Sequence, residues 1–303
     1  MPWTCADIPD QHGRTALITG ANSGLGLETA RALAQRGARV VLACRSLERA
    51  EQARAELQAD CSGELITLQL DLADLESVRR SSDQLADQLG SCDVLINNAG
   101  VMAPPRRLSA QGHELQFAVN HLGHFALTQK LLPLLKPQGR VVHVSSGAAY
   151  FGRIAFDDLQ GERSYDAWAA YAQSKLANLI TALELQERLT AAGSSVRSIA
   201  AHPGLARTNL QPTSVAARGS RLEGLAYRLM DPLFQSAAMG ALPQLYAATA
   251  AEVELNTFYG PGGLGNLKGY PKACRMAPAA RDQATRQRLW QVSEELTGNA
   301  LGC

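Results

Sequence analysis

The sequence predicts an α/β protein, a single domain built on a doubly wound parallel sheet with helices on both faces. Three observations predict it. Short apolar runs alternate with helix-period stretches from Arg14 to Ala200. The first run, Arg14 to Thr19, ends in Gly20-Ala21-Asn22-Ser23-Gly24-Leu25-Gly26 and opens directly into a helical pattern. The polar and small-residue motifs that punctuate the alternation follow apolar runs, at the strand ends where such sheets bind ligands.

Composition narrows the function. A chain of 303 residues, 46% hydrophobic, can bury a full core as one large domain or two small ones, and with no repeat, low-complexity tract or charge block to mark a linker 1–303 is expected to be one unit. Within it, three parts are expected: about 14–145, about 146–250 and a last helix at about 279–297. A formal net charge of +1 gives no basic footprint for nucleic acid. The six cysteines show no C-x-x-C and no histidine at ligand spacing, which reads as reduced thiols and no metal site. Neither a signal peptide at residues 1–10 nor an apolar run approaching ~20 residues is present, so a cytoplasmic protein without a membrane anchor is expected.

The elements follow in order. In the first strand-turn-helix unit, Gly20, Gly24 and Gly26 allow a tight turn. Backbone at Asn22, Ser23 and Leu25 can then approach a pyrophosphate at the positive end of the helix. Glycines also close ordinary strand-helix turns. A second strand, Arg39 to Cys44, ends where an acid would bind the adenosine ribose; Cys44 stands there instead, followed by Arg45. A cation at that point pairs with a 2′-phosphate and favours NADP(H) over NAD(H). The other reading is a solvated arginine at a helix start.

A helix over Leu47–Ala59, a strand over Leu65–Leu70 and Asp71-Leu72 come next. Asp71 can accept from the adenine amino group or can simply begin the loop. A helix over Leu75–Leu89 and a strand over Val94–Ile96 lead to Asn97-Asn98-Ala99-Gly100, whose small residues let backbone run beside a flat ligand or make a turn. The next helix, around Glu114–Leu135, carries Asn120 among apolar and histidine residues, with His121 and His124 read as packing or surface residues rather than ligands. A strand over Arg140–Val144 delivers Ser145-Ser146. A sixth strand, Val196–Ala200, delivers His202-Pro203-Gly204-Leu205 and Thr208. Residues 211–245, with leucines at helix-like intervals, read as an apolar-faced cover over a substrate or as a plain packing helix. A Gly/Pro-rich passage, Gly260 to Pro271, precedes a last helix at Ala279–Leu296.

Between the serines and the sixth strand lies Tyr171-Ala172-Gln173-Ser174-Lys175. Tyr171 and Lys175 project from one helix face a turn apart. A nearby ammonium favours a phenolate and brings the tyrosine proton within reach of acid-base chemistry. An isolated Y-x-x-x-K is more often an ordinary surface pair; this one follows the whole series of strand-end motifs.

Together, T-G-A-N-S-G-L-G, D-L, N-N-A-G, an Asn in the next helix, S-S, Y-x-x-S-K and P-G-x-x-x-T resemble the short-chain dehydrogenase/reductases, over residues 14–300. Finer features (A-C-R-S, N-H-L-G-H-F, S-K-L-A-N and the F-D-D-L insert at 156–159) are similar to the retinol dehydrogenase and WW-domain oxidoreductase branch. Many of those relatives carry a membrane anchor or a WW module, and their lack here points to a non-retinoid substrate. The resemblance implies a Rossmann-type fold and a tetrad. In it Tyr171 is the general acid, Lys175 tunes it and holds the nicotinamide ribose, Ser146 holds the substrate oxygen and Asn120 orders a relay water. Ser145 competes with Ser146, because the insert before Tyr171 prevents spacing from deciding. Pro203, Gly204, Leu205 and Thr208 are implied to pack on the nicotinamide end. The expected activity is an NADP-dependent interconversion of a small apolar carbonyl compound and its alcohol, in a homodimer or homotetramer. A catalytically silent NADP(H)-binding sensor or scaffold is the alternative.

Overall fold

The computed structural model describes residues 1–207 and 234–298. The strands are β1 (Thr15–Thr19), β2 (Arg39–Cys44), β3 (Leu65–Gln69), β4 (Cys92–Asn97), β5 (Leu135–Val144), β6 (Arg197–Ala201), β7 (Phe258–Pro261) and β8 (Pro271–Cys274). They form one sheet in the order β3-β2-β1-β4-β5-β6-β7-β8. All neighbours are parallel except the β7–β8 edge pair, which is antiparallel. The order reverses at β1 and β4, so a crevice opens beyond the carboxyl ends of those strands.

Helices α1 (Gly24–Gln35), α2 (Leu47–Gln58) and α7 (Ala237–Thr249) cover one face of the sheet. The other face carries α3 (Leu75–Leu89), α4 (Leu115–Phe117) continuing through a wide turn into α5 (Gly123–Leu131), the long α6 (Ala167–Ala191), α8 (Pro278–Arg281) and α9 (Gln283–Thr297). Strand residues alternate between the two cores. Ala16, Ile18, Val40 and Leu42 face α1 and α2, while Leu17, Val41 and Leu95 face α3 and α5. Both sheet faces are therefore dry, which is why the parallel strands read as unbroken apolar runs.

Beyond shifts of a residue or two at other ends, the larger departures from expectation are these. The Glu114–Leu135 helix ends at Leu131, because Pro133 permits only a short 3₁₀ turn (Leu132–Leu134), and β5 begins at Leu135. The Gly/Pro-rich passage is flanked by two strands, β7 and β8, which extend the sheet to eight; too short to show a period, they depend on pairing with β6. The last helix is two helices: at Asp282 the chain leaves helical geometry and the carboxylate accepts from Thr285 N at 2.8 Å, starting α9 afresh. Among the described residues no helix is long and apolar enough to cross a membrane. Thr208 and most of the expected cover, with Leu222, Leu225, Tyr227, Leu229, Met230 and Leu233, lie outside the described residues.

Candidate active site

The glycine turn is built as its sequence requires. Gly20 and Gly24 have φ of +68° and +54°, where side chains are disfavoured. A Cβ on Gly26 would stand 2.3 Å from Gly20 O and 2.7 Å from Asn98 Nδ2. The side chain of Ser23, the N-cap of α1, makes no capping bond to its first turn. Backbone N–H groups at a positive helix end are left for an anion. Beside the turn, Asn98 and Ala99 are held by β1: both backbone N–H groups donate to Thr19 Oγ1 at 2.9 Å, and Asn98 Nδ2 donates to Thr19 O at 2.8 Å. The N-N-A-G stretch is thus a supported ledge rather than a bare turn.

Cys44 is buried at the end of β2, and burial pushes its thiol up to about 11, so it offers neither charge nor a ribose acceptor. Arg45 is exposed beside it and forms no ion pair among the described residues; only its carbonyl is engaged, by Gln69 Nε2 at 3.5 Å. Asp71 Oδ1 accepts from Ala73 N at 2.9 Å. Leu72 is pressed on α5, where a Cβ on Gly123 would lie 2.5 Å from Leu72 O.

On the facing helix, Tyr171 and Lys175 are buried one turn apart at the carboxyl edge of β5. Lys175 Nζ donates to Val144 O at 3.1 Å, has no carboxylate partner among the described residues, and lies 6.0 Å from the centre of the Tyr171 ring. Burial lowers its pKa to about 8. Gly100 abuts both Lys175 and Asn120, since a Cβ there would come within 3.4 Å of Nζ and 3.1 Å of Asn120 Oδ1.

The structure separates the two serines. Ser145 is buried and its Oγ donates to Lys175 O at 2.7 Å, tying β5 to α6. Ser146 is half-buried, caps the 3₁₀ turn Gly147–Phe151, and its Oγ accepts from Ala148 N at 3.2 Å. The Ser146 hydroxyl hydrogen therefore remains to be donated outward.

Asn120 sits in a π-turn, Ala118–Leu122, of the kind that gathers at functional sites. Its amide pairs with Val101 in both directions, accepting N–H at 2.8 Å and donating to C=O at 2.9 Å, and donates again to Ser174 Oγ at 2.9 Å. Both amide hydrogens are used, so a water ordered by Asn120 would be held through its oxygens. Pro203, Gly204 and Leu205 follow β6 at the carboxyl edge of the sheet. Leu205 N donates to Leu267 O at 2.7 Å, Gln235 Nε2 donates to Pro203 O at 2.7 Å, and Gly204 has φ +65°.

Residues 14–219 match the short chain dehydrogenase family model. The chain is a short-chain dehydrogenase. It is 42% identical over 293 residues to retinol dehydrogenase 12 of Bos taurus, covering 94% of this chain and 87% of that protein. A crystal structure of an uncharacterised Mycobacterium paratuberculosis protein is 43% identical, covers 100% of both chains and superposes with a TM-score of 0.83. A short chain dehydrogenase from Burkholderia cenocepacia in complex with NADP is 25% identical, with a TM-score of 0.64 over 82% of this chain and 96% of that one. The dehydrogenase thus belongs to the retinol dehydrogenase-like branch and is an oxidoreductase of CH–OH groups and carbonyls, in a family that binds NAD(P)(H). The start of α1, which Ser23 does not cap, the Thr19-held ledge and the small residues Ala99 and Gly100 fit such a dinucleotide.

Several residues of this dehydrogenase's site escaped sequence reasoning. His124 joins Asn120 to the ledge: its Nδ1 contacts Asn120 O at 3.0 Å and its Nε2 contacts Thr19 Oγ1 at 2.8 Å. The partners settle the tautomer. A carbonyl only accepts, so Nδ1 carries the hydrogen; Thr19 Oγ1 already accepts from two N–H groups, so its hydroxyl donates to Nε2. Burial lowers the His124 pKa to about 4, and the ring is neutral at ordinary pH. Gln244 Nε2 reaches from α7 to Thr29 Oγ1 at 2.6 Å and Asn98 Oδ1 at 3.2 Å. Trp168 stands edge-on to Tyr171 at 6.1 Å. No spacing rule marks these residues, because each partner comes from a distant stretch of chain. The insert before Tyr171 is likewise pinned by tertiary bonds: Tyr165 OH donates to Pro104 O at 3.0 Å and accepts from Gln116 Nε2 at 3.0 Å.

Proposed function

We propose that this dehydrogenase interconverts an apolar aldehyde or ketone and its alcohol, using NADP(H) in preference to NAD(H), with Tyr171 as general acid in reduction and general base in oxidation. The observation that carries the reading is the buried Tyr171–Lys175 pair, in which a cation with no carboxylate partner among the described residues lies 6.0 Å from the centre of a phenol ring at the carboxyl edge of the sheet. When bound, the nicotinamide dinucleotide supplies or accepts the hydride. Tyr171 Oη gives its proton to the substrate oxygen in reduction, and the Lys175 ammonium stabilises the phenolate left behind. Ser146 Oγ donates to the same oxygen and orients it. Asn120 holds Val101 and Ser174, and through them the floor of the site. His124 and Thr19 keep the ledge and Asn120 in register.

An apolar substrate is supported by accessible apolar side chains on the segments that carry the site. Phe151 ends the turn that Ser146 caps and is 89% exposed; Trp168 beside Tyr171 is 40% exposed, and Met102 is half-buried. Retinol, named in the similar retinol dehydrogenase 12, is itself an apolar alcohol. The test follows NADPH oxidation against carbonyls from short aldehydes to retinal and steroid ketones, beside polar sugars. Lipophilic carbonyls should be reduced. Turnover confined to the polar compounds would overturn the reading.

NADP(H) preference is supported by Arg45, an exposed cation at the end of β2 where Cys44 replaces an acid. Arg45→Asp should abolish the preference, lowering kcat/KM with NADPH relative to NADH by about tenfold or more, the worth of one charge-assisted contact. An unchanged ratio would remove Arg45 from the cofactor site.

The lowered Lys175 pKa sets a pH dependence. Lys175 is a cation below its pKa of about 8 and neutral above it. Reduction needs that cation to stabilise the developing phenolate. The reduction rate should therefore hold up to pH about 8 and fall as pH rises beyond it. A rate that stays level to pH 10 would separate Lys175 from proton transfer.

A further inference from the structure

At the amino ends of the strands, on the edge of the sheet away from Tyr171, lies a cavity of about 440 Å³. Four neighbouring strands each bring one charged side chain to it: Arg14 just before β1, Asp93 in β4, Arg140 in β5 and Arg197 in β6. The register sets Arg140 directly opposite Arg197. Like charges opposed on adjacent strands repel, and a single carboxylate cannot neutralise three guanidinium groups.

Asp93 is already engaged. Its Oδ2 accepts from Thr15 N at 2.9 Å and from Lys136 Nζ at 3.1 Å, while Arg14 Nε comes only to 3.9 Å of Oδ1. Among the described residues, neither Arg140 nor Arg197 has a carboxylate within 4.0 Å. Arg140 has a structural duty, donating to Ala247 O at 2.9 Å and Ala250 O at 2.7 Å at the carboxyl end of α7, where a cation is favoured. That explains where Arg140 sits, but not Arg197, whose guanidinium among the described residues reaches only Val253 O at 3.5 Å, nor the open polar space between them. Burial, then repulsion from Arg197 and Arg14, pushes the Arg140 pKa down to about 10, the direction expected where cations outnumber anions.

The geometry points to a second ligand site at this edge, for a compact polyanion bearing phosphate or carboxylate groups. Guanidinium forks on β5 and β6 grip such oxygens in pairs, with Arg14 closing from β1. Gln138 and Thr249 add polar lining. The cavity is at the small end of ligand pockets and suits a pyrophosphate- or citrate-sized ion rather than a dinucleotide. The site is separate from the dinucleotide cleft, which lies at the opposite ends of the same strands.

Calorimetric titration tests the assignment. The protein is first saturated with whichever of NADPH and NADH binds more tightly, so that the cleft is blocked, and is then titrated with inorganic pyrophosphate or, in a parallel arm, with citrate. One saturable equivalent is expected, weakening as salt rises; the arm with the tighter binding distinguishes phosphate from carboxylate chemistry. Arg197→Ala and, separately, Arg14→Ala should each weaken binding by about tenfold, with circular dichroism confirming that both variants are folded. Absence of saturable heat in both arms, loss of binding when the cleft is blocked, or wild-type affinity in Arg197→Ala would overturn the site.

Discussion

Tyr171→Phe is expected to lose about 10²–10⁴-fold in turnover, the usual contribution of a positioned general acid, while dinucleotide affinity is retained. The substitution deletes one oxygen and keeps the ring. That ring is buried on α6 with Trp168 edge-on at 6.1 Å, so the packing survives. The cofactor-side ledge, held by Thr19, does not depend on the hydroxyl. Cofactor oxidation in steady state, with fluorescence titration of NADPH binding beside it, separates the two quantities. Near-normal turnover in the variant would sink Tyr171 as the acid; lost dinucleotide binding would mean that the hydroxyl serves the cofactor instead.

Gly26→Ala should damage the cofactor cleft without touching the chemistry. Its Cβ would meet Gly20 O at 2.3 Å and Gly20 C at 2.9 Å, and both are backbone, so no side chain can swing aside. Overpacking of this kind costs about 1–3 kcal/mol. If the turn holds, the cost appears as a lower Tm; if it moves away from Asn98, dinucleotide binding weakens by roughly 10–100-fold. Thermal melts with and without NADPH distinguish these, and wild-type values in both would show that α1 and β4 are not packed as described.

Much of the fold was legible because parallel strands buried on both faces leave unbroken apolar runs. Leu17, Val41 and Leu95 on one side and Ile18, Leu42 and Ile96 on the other are visible as such in the chain. The edge strands β7 and β8 were not, since four residues carry no period and Pro261 and Pro271 read as loop. Asp282 hid its role for a related reason: an acid inside an apolar-periodic stretch looks like helix surface until its carboxylate is seen capping α9.

In the site, local motifs were readable wherever function depends on backbone freedom or on a fixed helical step. Gly20 and Gly24 announce positive φ, and Tyr171 and Lys175 announce one shared face. Ser145 and Ser146 could not be told apart in the sequence, because neighbouring residues on an extended segment differ only in direction. Only the packing of α6 on β5 turns Ser145 inward to Lys175 O and leaves Ser146 at the edge.

The alternating α/β plan, the glycine turn, the tyrosine–lysine face and the family resemblance were all readable along the chain, since each rests on residues close together in it. Tertiary structure alone decided the rest: which serine faces out, how His124 and Thr19 join Asn120 to the ledge, and how Arg14, Arg140 and Arg197 meet around one cavity. The physical reason is one of range. Hydrogen bonds and charges act over a few ångströms of space, and the sheet brings together groups that lie dozens of residues apart along the chain.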